Sequence, residues 1–209
     1  MTQAVNVVEH PVLEDRLAVL RDAQTSHGVF RRALHEAAAI LAIEATRDLP
    51  TVAHDVQTPL ESAPARRLEE EITIVPVLRA GLGMVEGFLR LLPDARVGHV
   101  GIYRDEEDHE PVDYYERLPR GLPDARVYVL DPMLATGGSA VTALNHLKRA
   151  GAKHLELVCL VSAPEGIKAV EQAHPDVRIW TAAVDRELDE NAYIRPGLGD
   201  AGDRVFGTA

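Results

Sequence analysis

The sequence predicts an α/β fold: a parallel sheet covered by helices on both faces. Two features of the 209 residues predict it. Short β-branched apolar runs alternate with helical segments of ten or more residues. The strand runs are also nearly continuous in apolar residues, as strands buried on both faces are.

Two helices are expected at the start. Residues 12–23 place Leu13, Leu17 and Leu20 at helical spacing, and residues 29–46 repeat the pattern with Phe30, Leu34, Ala37, Leu41 and Ala45. Pro50 closes this region. Residues 51–65, with Val52, Val56, Pro59 and Pro64 among polar neighbours, read as a short extended arm or hairpin.

The rhythm then changes. Residues 72–77 form a first buried strand, followed by Gly81-Leu82-Gly83 and an apolar helix to Leu92. Residues 97–103 are a second strand. The charged run 104–110, flanked by Tyr103 and Tyr114-Tyr115, reads as a protruding hairpin. Residues 127–130 are a third strand, leading through Gly137-Gly138 into a helix to Ala150. Residues 155–161 are a fourth, Pro164 opens a helix to Ala173, and residues 177–182 are a fifth. From Asp185 the chain is rich in glycine and aspartate without a strong period, so it is expected to be functional or disordered. No repeat or linker divides the chain, which reads as one domain over 1–209. In such sheets, ligands gather at the carboxyl ends of the strands.

Composition narrows the function. A net charge of −11 argues against a nucleic-acid partner, which demands a basic face. It does not exclude a small anionic substrate held by a few local donors. Only three of the 22 basic residues are lysines, so most positive charge sits on arginine, which suits bidentate phosphate contacts. The single Cys159 lies in an apolar strand and reads as an inert thiol, with no disulfide framework or zinc cluster to be built from it. Nine scattered histidines lack metal-ligand spacing. With no basic leader and no long apolar stretch, the chain is expected to be cytoplasmic, with no membrane partner.

The most informative stretch is Val127-Tyr128-Val129-Leu130-Asp131-Pro132-Met133-Leu134-Ala135-Thr136-Gly137-Gly138-Ser139. A buried strand ends in a carboxylate, and a loop with two glycines then opens a helix. Loop N–H groups and the helix N-terminus suit an anion. Gly137 and Gly138 let the backbone come close, and Thr136 and Ser139 offer hydroxyls. Asp131 would be repelled by the phosphate and suits sugar hydroxyls instead. The layout thus reads as a ribose 5-phosphate site, although on its glycines alone it is an ordinary strand-turn-helix junction. Arg79, after the first strand and before Gly81, emerges at the same sheet edge, although most arginines serve only as surface ion-pair partners.

The segment D-P-M-L-A-T-G-G-S resembles the 5-phosphoribosyl pyrophosphate (PRPP) motif of the uracil phosphoribosyltransferase family, in which Pro132 stands where the wider type I group has a second acidic residue. The stretch Tyr193-Ile194-Arg195-Pro196-Gly197-Leu198-Gly199-Asp200-Ala201-Gly202-Asp203, with Phe206-Gly207-Thr208 following, is similar to that family's uracil-recognition loop. Arg195 departs from the apolar residue often found there.

The resemblance implies a type I phosphoribosyltransferase-like core with a protruding hairpin arm and a C-terminal base-binding hood. It implies transfer of the phosphoribosyl group of PRPP to uracil N1, giving UMP and pyrophosphate. It also implies that Arg79, Arg104, Asp131 and Asp200 serve the reaction. Arg79 and Arg104 bind pyrophosphate. Asp131, Pro132, Met133, Leu134, Ala135, Thr136, Gly137, Gly138 and Ser139 hold the ribose phosphate. Ile194, Gly199, Asp200 and Ala201 contact uracil, with Asp200 also organising PRPP. Mg²⁺ is the implied cofactor, held mainly by PRPP and water without a dedicated protein cage. A GTP effector and a homo-oligomer are further implied by relatives, not by residues. Two alternatives stay open: a phosphoribosyltransferase for another nucleobase, and a nucleotide-binding regulator of the same fold.

Overall fold

The computed structural model describes residues 5–104 and 111–208, with the backbone alone at 103, 104 and 111–113. A short strand, Asn6–Val7 (β1), precedes helices Pro11–Arg21 (α1) and His27–Ala45 (α2). Pro11 starts α1 where an N–H would lack a helical partner anyway, and the His10 ring accepts the Val12 N–H. In α2, Phe30, Leu34, Ala37, Leu41 and Ala45 share one buried face, as their spacing predicts. Thr51–Gln57 (β2) and Ser62–Leu68 (β3) then pair antiparallel as the expected arm, which runs to Leu68 and not to residue 65.

The central region begins with Glu71–Leu78 (β4) and Leu82–Leu89 (α3). α3 ends short of the expected Leu92, ahead of Pro93, which disfavours helix at the residue before it. Arg96–Val97 (β5) and His99–Arg104 (β6) replace the single strand expected over 97–103. Gly98 divides them, its N–H bonded to the Ile74 carbonyl at 2.9 Å. Pro111–Arg117 (β7) pairs antiparallel with β6. These are the two legs of the hairpin expected around 104–110; its tip lies outside the described residues.

Next come Ala125–Leu130 (β8), Met133–Leu134 (β9), Gly138–Arg149 (α4), His154–Ser162 (β10), Pro164–Ala173 (α5) and Arg178–Val184 (β11). The aperiodic tail proves to be ordered: Glu187–Leu188 (β12) and Ile194–Arg195 (β13) form a small hairpin, and Ala201–Phe206 (α6) follows. Asp200 starts α6 by accepting the Asp203 N–H at 2.9 Å.

The main sheet runs β1-β11-β10-β8-β4-β6-β7, with β5 on β4 and β9 on β10. Its pairs are parallel from β1 to β6, and β7 is an antiparallel edge. Alternate residues feed two cores. Ile74, Tyr128, Leu130, Val158 and Leu160 pack with α1, α2, α3 and α6. Val75, Val127, Val129, Leu157 and Cys159 pack with α4 and α5. Helices therefore cover both faces, as expected.

The turn after β4 is pressed against β8. A Cβ on Gly81 would lie 2.3 Å from the Leu130 carbonyl oxygen and 2.7 Å from that of Val77. Both are backbone atoms of central strands and have little room to yield. Gly81→Ala is expected to cost roughly 1–3 kcal/mol of stability. Thermal melting checks this, and an unchanged Tm would contradict the close approach.

Candidate active site

The parallel register brings three loops to one edge. β4 delivers Arg79, β8 delivers the 131–137 loop, and the segment after β11 folds back over both. They enclose a pocket of about 500 Å³, within the ordinary range for a ligand cleft. Arg79, Asp131, Met133, Ala135, Ser139, Ile194, Gly199, Asp200 and Ala201 all line it. A smaller cavity of about 40 Å³ continues along Leu134, Thr136, Gly137 and Gly138 into the start of α4. Pro132 lines neither cavity. It is buried, and its carbonyl accepts the Leu160 and Val161 N–H groups. Leu134 is likewise a core residue by its side chain. For Arg104 only the backbone is described.

Local chemistry shapes the small cavity. Gly137 sits in the left-handed region, φ +87°, at the start of α4. The N-cap Gly137 has no side chain to cap the helix. The Gly138 N–H makes one long bond, 3.5 Å, to the Thr136 hydroxyl, and the N-terminal end of α4 suits an anion. α5 braces the loop from behind: a Cβ on Gly166 would lie 2.4 Å from the Ala135 carbonyl oxygen. Ala163 N–H also donates to the Leu134 carbonyl at 2.8 Å.

Asp131 lies where the two cavities meet. Its carboxylate accepts the Met133 N–H at 3.3 Å. Burial pushes its pKa up to about 7, and that one hydrogen bond offsets burial only in part. Arg79 is half-exposed. Its guanidinium meets Asp203 of α6 at 3.2 Å and lies 5.9 Å from the centre of the Phe206 ring. The Leu78–Arg79 and Arg195–Pro196 peptides are cis.

The C-terminal hood is fastened by contacts that no local pattern reveals. Arg21 of α1 grips Asp185 at 2.6 and 2.8 Å and donates to the Gly197 carbonyl at 2.8 Å. Asp185 in turn accepts the Gly197 N–H at 2.9 Å. Arg204 donates to the carbonyls of Leu20, Asp22 and Leu198 and stacks 4.5 Å from the centre of the Phe30 ring. Asn191, Ala192 and Tyr193 complete the pocket wall. Sequence reasoning missed Asn191 and Ala192; Tyr193 opens the stretch compared with the uracil-recognition loop but was given no contact role. The departing Arg195 also finds a partner, Asp189, at 2.9 Å.

Comparison with known proteins agrees with this geometry. The sequence model described as Uracil phosphoribosyltransferase matches residues 7–208. A protein named uracil phosphoribosyltransferase from Salinibacter ruber is 54% identical over 204 residues, covering 98% of this chain and 97% of that one. Another of that name from Symbiobacterium thermophilum is 53% identical over 205 residues, covering 98% of each. A solved Aquifex aeolicus structure superposes with a TM-score of 0.95 at 38% identity, covering 99% of both chains. A hypoxanthine-guanine phosphoribosyltransferase from Bacillus anthracis, at 16% identity and a TM-score of 0.53 over 76% of this chain and 80% of that one, shares the fold.

Asp131 makes stability depend on pH. Its folded pKa of about 7 lies above the unfolded value near 3.9, so between the two the folded state holds the extra proton. The contribution of Asp131 to stability therefore falls as pH rises from about 4 to about 7, then levels off. Asp131→Asn removes this titration. Its Tm should match wild type near pH 4.5 and exceed it by several degrees at pH 7.5, at roughly 2–4 °C per kcal/mol. Melts at several pH values check this; a gap independent of pH would contradict it.

Proposed function

The chain belongs to the uracil phosphoribosyltransferase family, and from that premise we propose that it joins uracil N1 to C1 of PRPP, giving UMP and pyrophosphate. The observation that carries the site reading is convergence. The 131–139 loop, Arg79 and the 194–201 segment, far apart in sequence, line one pocket at the carboxyl edge of the sheet. Each offers the chemistry one part of the reaction needs.

The small cavity receives the 5-phosphate. Its walls are main-chain N–H groups beside Gly137 and Gly138 and the hydroxyls of Thr136 and Ser139. Asp131, set between the cavities, accepts from the ribose hydroxyls. Arg79 turns its guanidinium from Asp203 to the pyrophosphate, where it stabilises the charge that grows as the C1–O bond breaks. The hood presents backbone groups of Ile194, Gly199 and Ala201 to the uracil edge. A base with another donor and acceptor order would leave buried groups unpaired. Arg104, whose side chain lies outside the described residues, is assigned to the pyrophosphate by the family resemblance alone.

The transition state has oxocarbenium character and calls for no protein nucleophile. The chain's contribution is alignment of the two substrates and stabilisation of the leaving anion. Asp131 and Asp200, both on the pocket wall, offer the hard oxygens that suit Mg²⁺. The family reading pairs Mg²⁺ with PRPP, held mainly by substrate and water. When bound, it neutralises part of the pyrophosphate charge.

The direct experiment incubates the protein with PRPP, Mg²⁺ and labelled uracil and looks for labelled UMP, with hypoxanthine and orotate as competitors. UMP is expected; its absence, or preference for another base, would defeat the reading. Arg79→Ala should lower kcat/KM by about 2–4 kcal/mol of transition-state stabilisation, on the scale of a lost oxyanion donor. Unchanged kinetics would remove Arg79 from the chemistry.

A further inference from the structure

The turn between β12 and β13 supplies part of the pocket wall, through Asn191, Ala192 and Tyr193. Ala192, on that turn, has φ +61°, and among the described residues it is the one non-glycine residue in the left-handed region. A Cβ disfavours that conformation, so surrounding contacts must hold it.

Those contacts converge on Asp189. Its N–H donates to the Tyr193 carbonyl at 2.8 Å, and its own carbonyl accepts the Ala192 N–H at 2.9 Å. One carboxylate oxygen accepts the N–H groups of Asn191 at 3.0 Å and Tyr193 at 2.9 Å, the residues on either side of Ala192. The other accepts from Arg195 Nε at 3.0 Å. Backbone N–H donation from Tyr193, helped by Asn191 and Arg195, lowers the pKa of Asp189, so it serves as a charged acceptor.

We propose that Asp189 is a positioning residue for the nucleobase: its carboxylate clasps Ala192 in the left-handed conformation, and so fixes Asn191–Ile194 as the wall of the base end of the pocket. Arg195 aims that carboxylate, which accounts for a cation where an apolar residue is usual. The proposal rests on the assignment of residues 194–201 to uracil. Asp189 itself does not line the pocket, so its effect passes through the turn.

The test compares Asp189→Ala, Ala192→Gly, the double variant and Arg195→Leu by steady-state kinetics and amide hydrogen exchange. Loosening the turn lowers the binding-competent fraction, so Asp189→Ala should raise KM for uracil roughly tenfold while KM for PRPP moves less than about twofold. Exchange at residues 191 and 193 should quicken. Glycine adopts positive φ without strain, so adding Ala192→Gly should bring KM for uracil back to within about threefold of wild type. Arg195 is more than half exposed, and Arg195→Leu should change KM for uracil by less than about threefold. A purely structural role would lower Tm without the uracil-specific KM change or its recovery, and that result overturns the proposal. Unchanged exchange at 191 and 193 in Asp189→Ala overturns it as well. Failure of wild type to form UMP would instead sink the uracil reading, while the exchange data still decide whether Asp189 holds the turn.

Discussion

The register of β8 against its two neighbours is the constraint on which the rest of the structure depends. Val129 faces Val75 on β4 and Leu157 on β10, and Leu130 faces Pro76 and Val158. All six are buried. A slip of one residue would turn Tyr128 and Leu130 toward α4 and α5, and Val127 and Val129 toward α2 and α3. Two differently shaped cores forbid that. Because the strands are parallel and locked in register, their carboxyl ends fall at one edge. Arg79 and Asp131 meet there without any contact dedicated to bringing them together.

The base side of the pocket has no such guarantee, since it hangs from short elements at the end of the chain. Its fastening comes from α1. A helix C-terminus leaves carbonyls without helical partners, and Arg204 takes those of Leu20 and Asp22. Arg21 completes the junction through Asp185 and the Gly197 carbonyl. Both arginines are partly buried and multiply bonded, unlike the surface pairs that contribute little. The opening helices are thus the frame on which the hood is hung, and damage to α1 should reach the site through these two side chains.

This division explains what the sequence revealed. The buried strands were legible because burial on both faces demands unbroken β-branched and aliphatic runs, and the helices between them because one apolar stripe suffices. The loop and helix start after Leu130 were legible because Gly137 takes a left-handed φ that favours glycine just before α4. The two-residue strands β1 and β9 were not, since two residues have no period. Nor was the break at Gly98, where one glycine within an apolar run reads equally as strand. The tail's order was hidden most completely. Arg21 with Asp185 spans 164 residues and Arg204 with Leu20 spans 184, so nothing local announces either. Arg195 was noticed only as a departure, because its partner gains meaning from a turn geometry that composition does not encode.

The pocket's electrostatics follow from the same enclosure. A chain of net charge −11 must hold a strongly anionic substrate, so overall charge contributes nothing favourable. The favourable terms are local: Arg79, the start of α4 and the loop N–H groups. They act at short range, whereas exposed charges more than about 8–10 Å away are largely screened. Burial pushes the Asp131 pKa up to about 7, since few protein donors replace the water its carboxylate loses. Poor solvation makes a carboxylate with a single N–H partner costly, and it also strengthens hydrogen bonds made in the same place. The two effects have one cause. A pocket wet enough to relax Asp131 would weaken the hydrogen-bond donors around it. The buried sheet therefore has to supply enough stability to carry a site that lowers it.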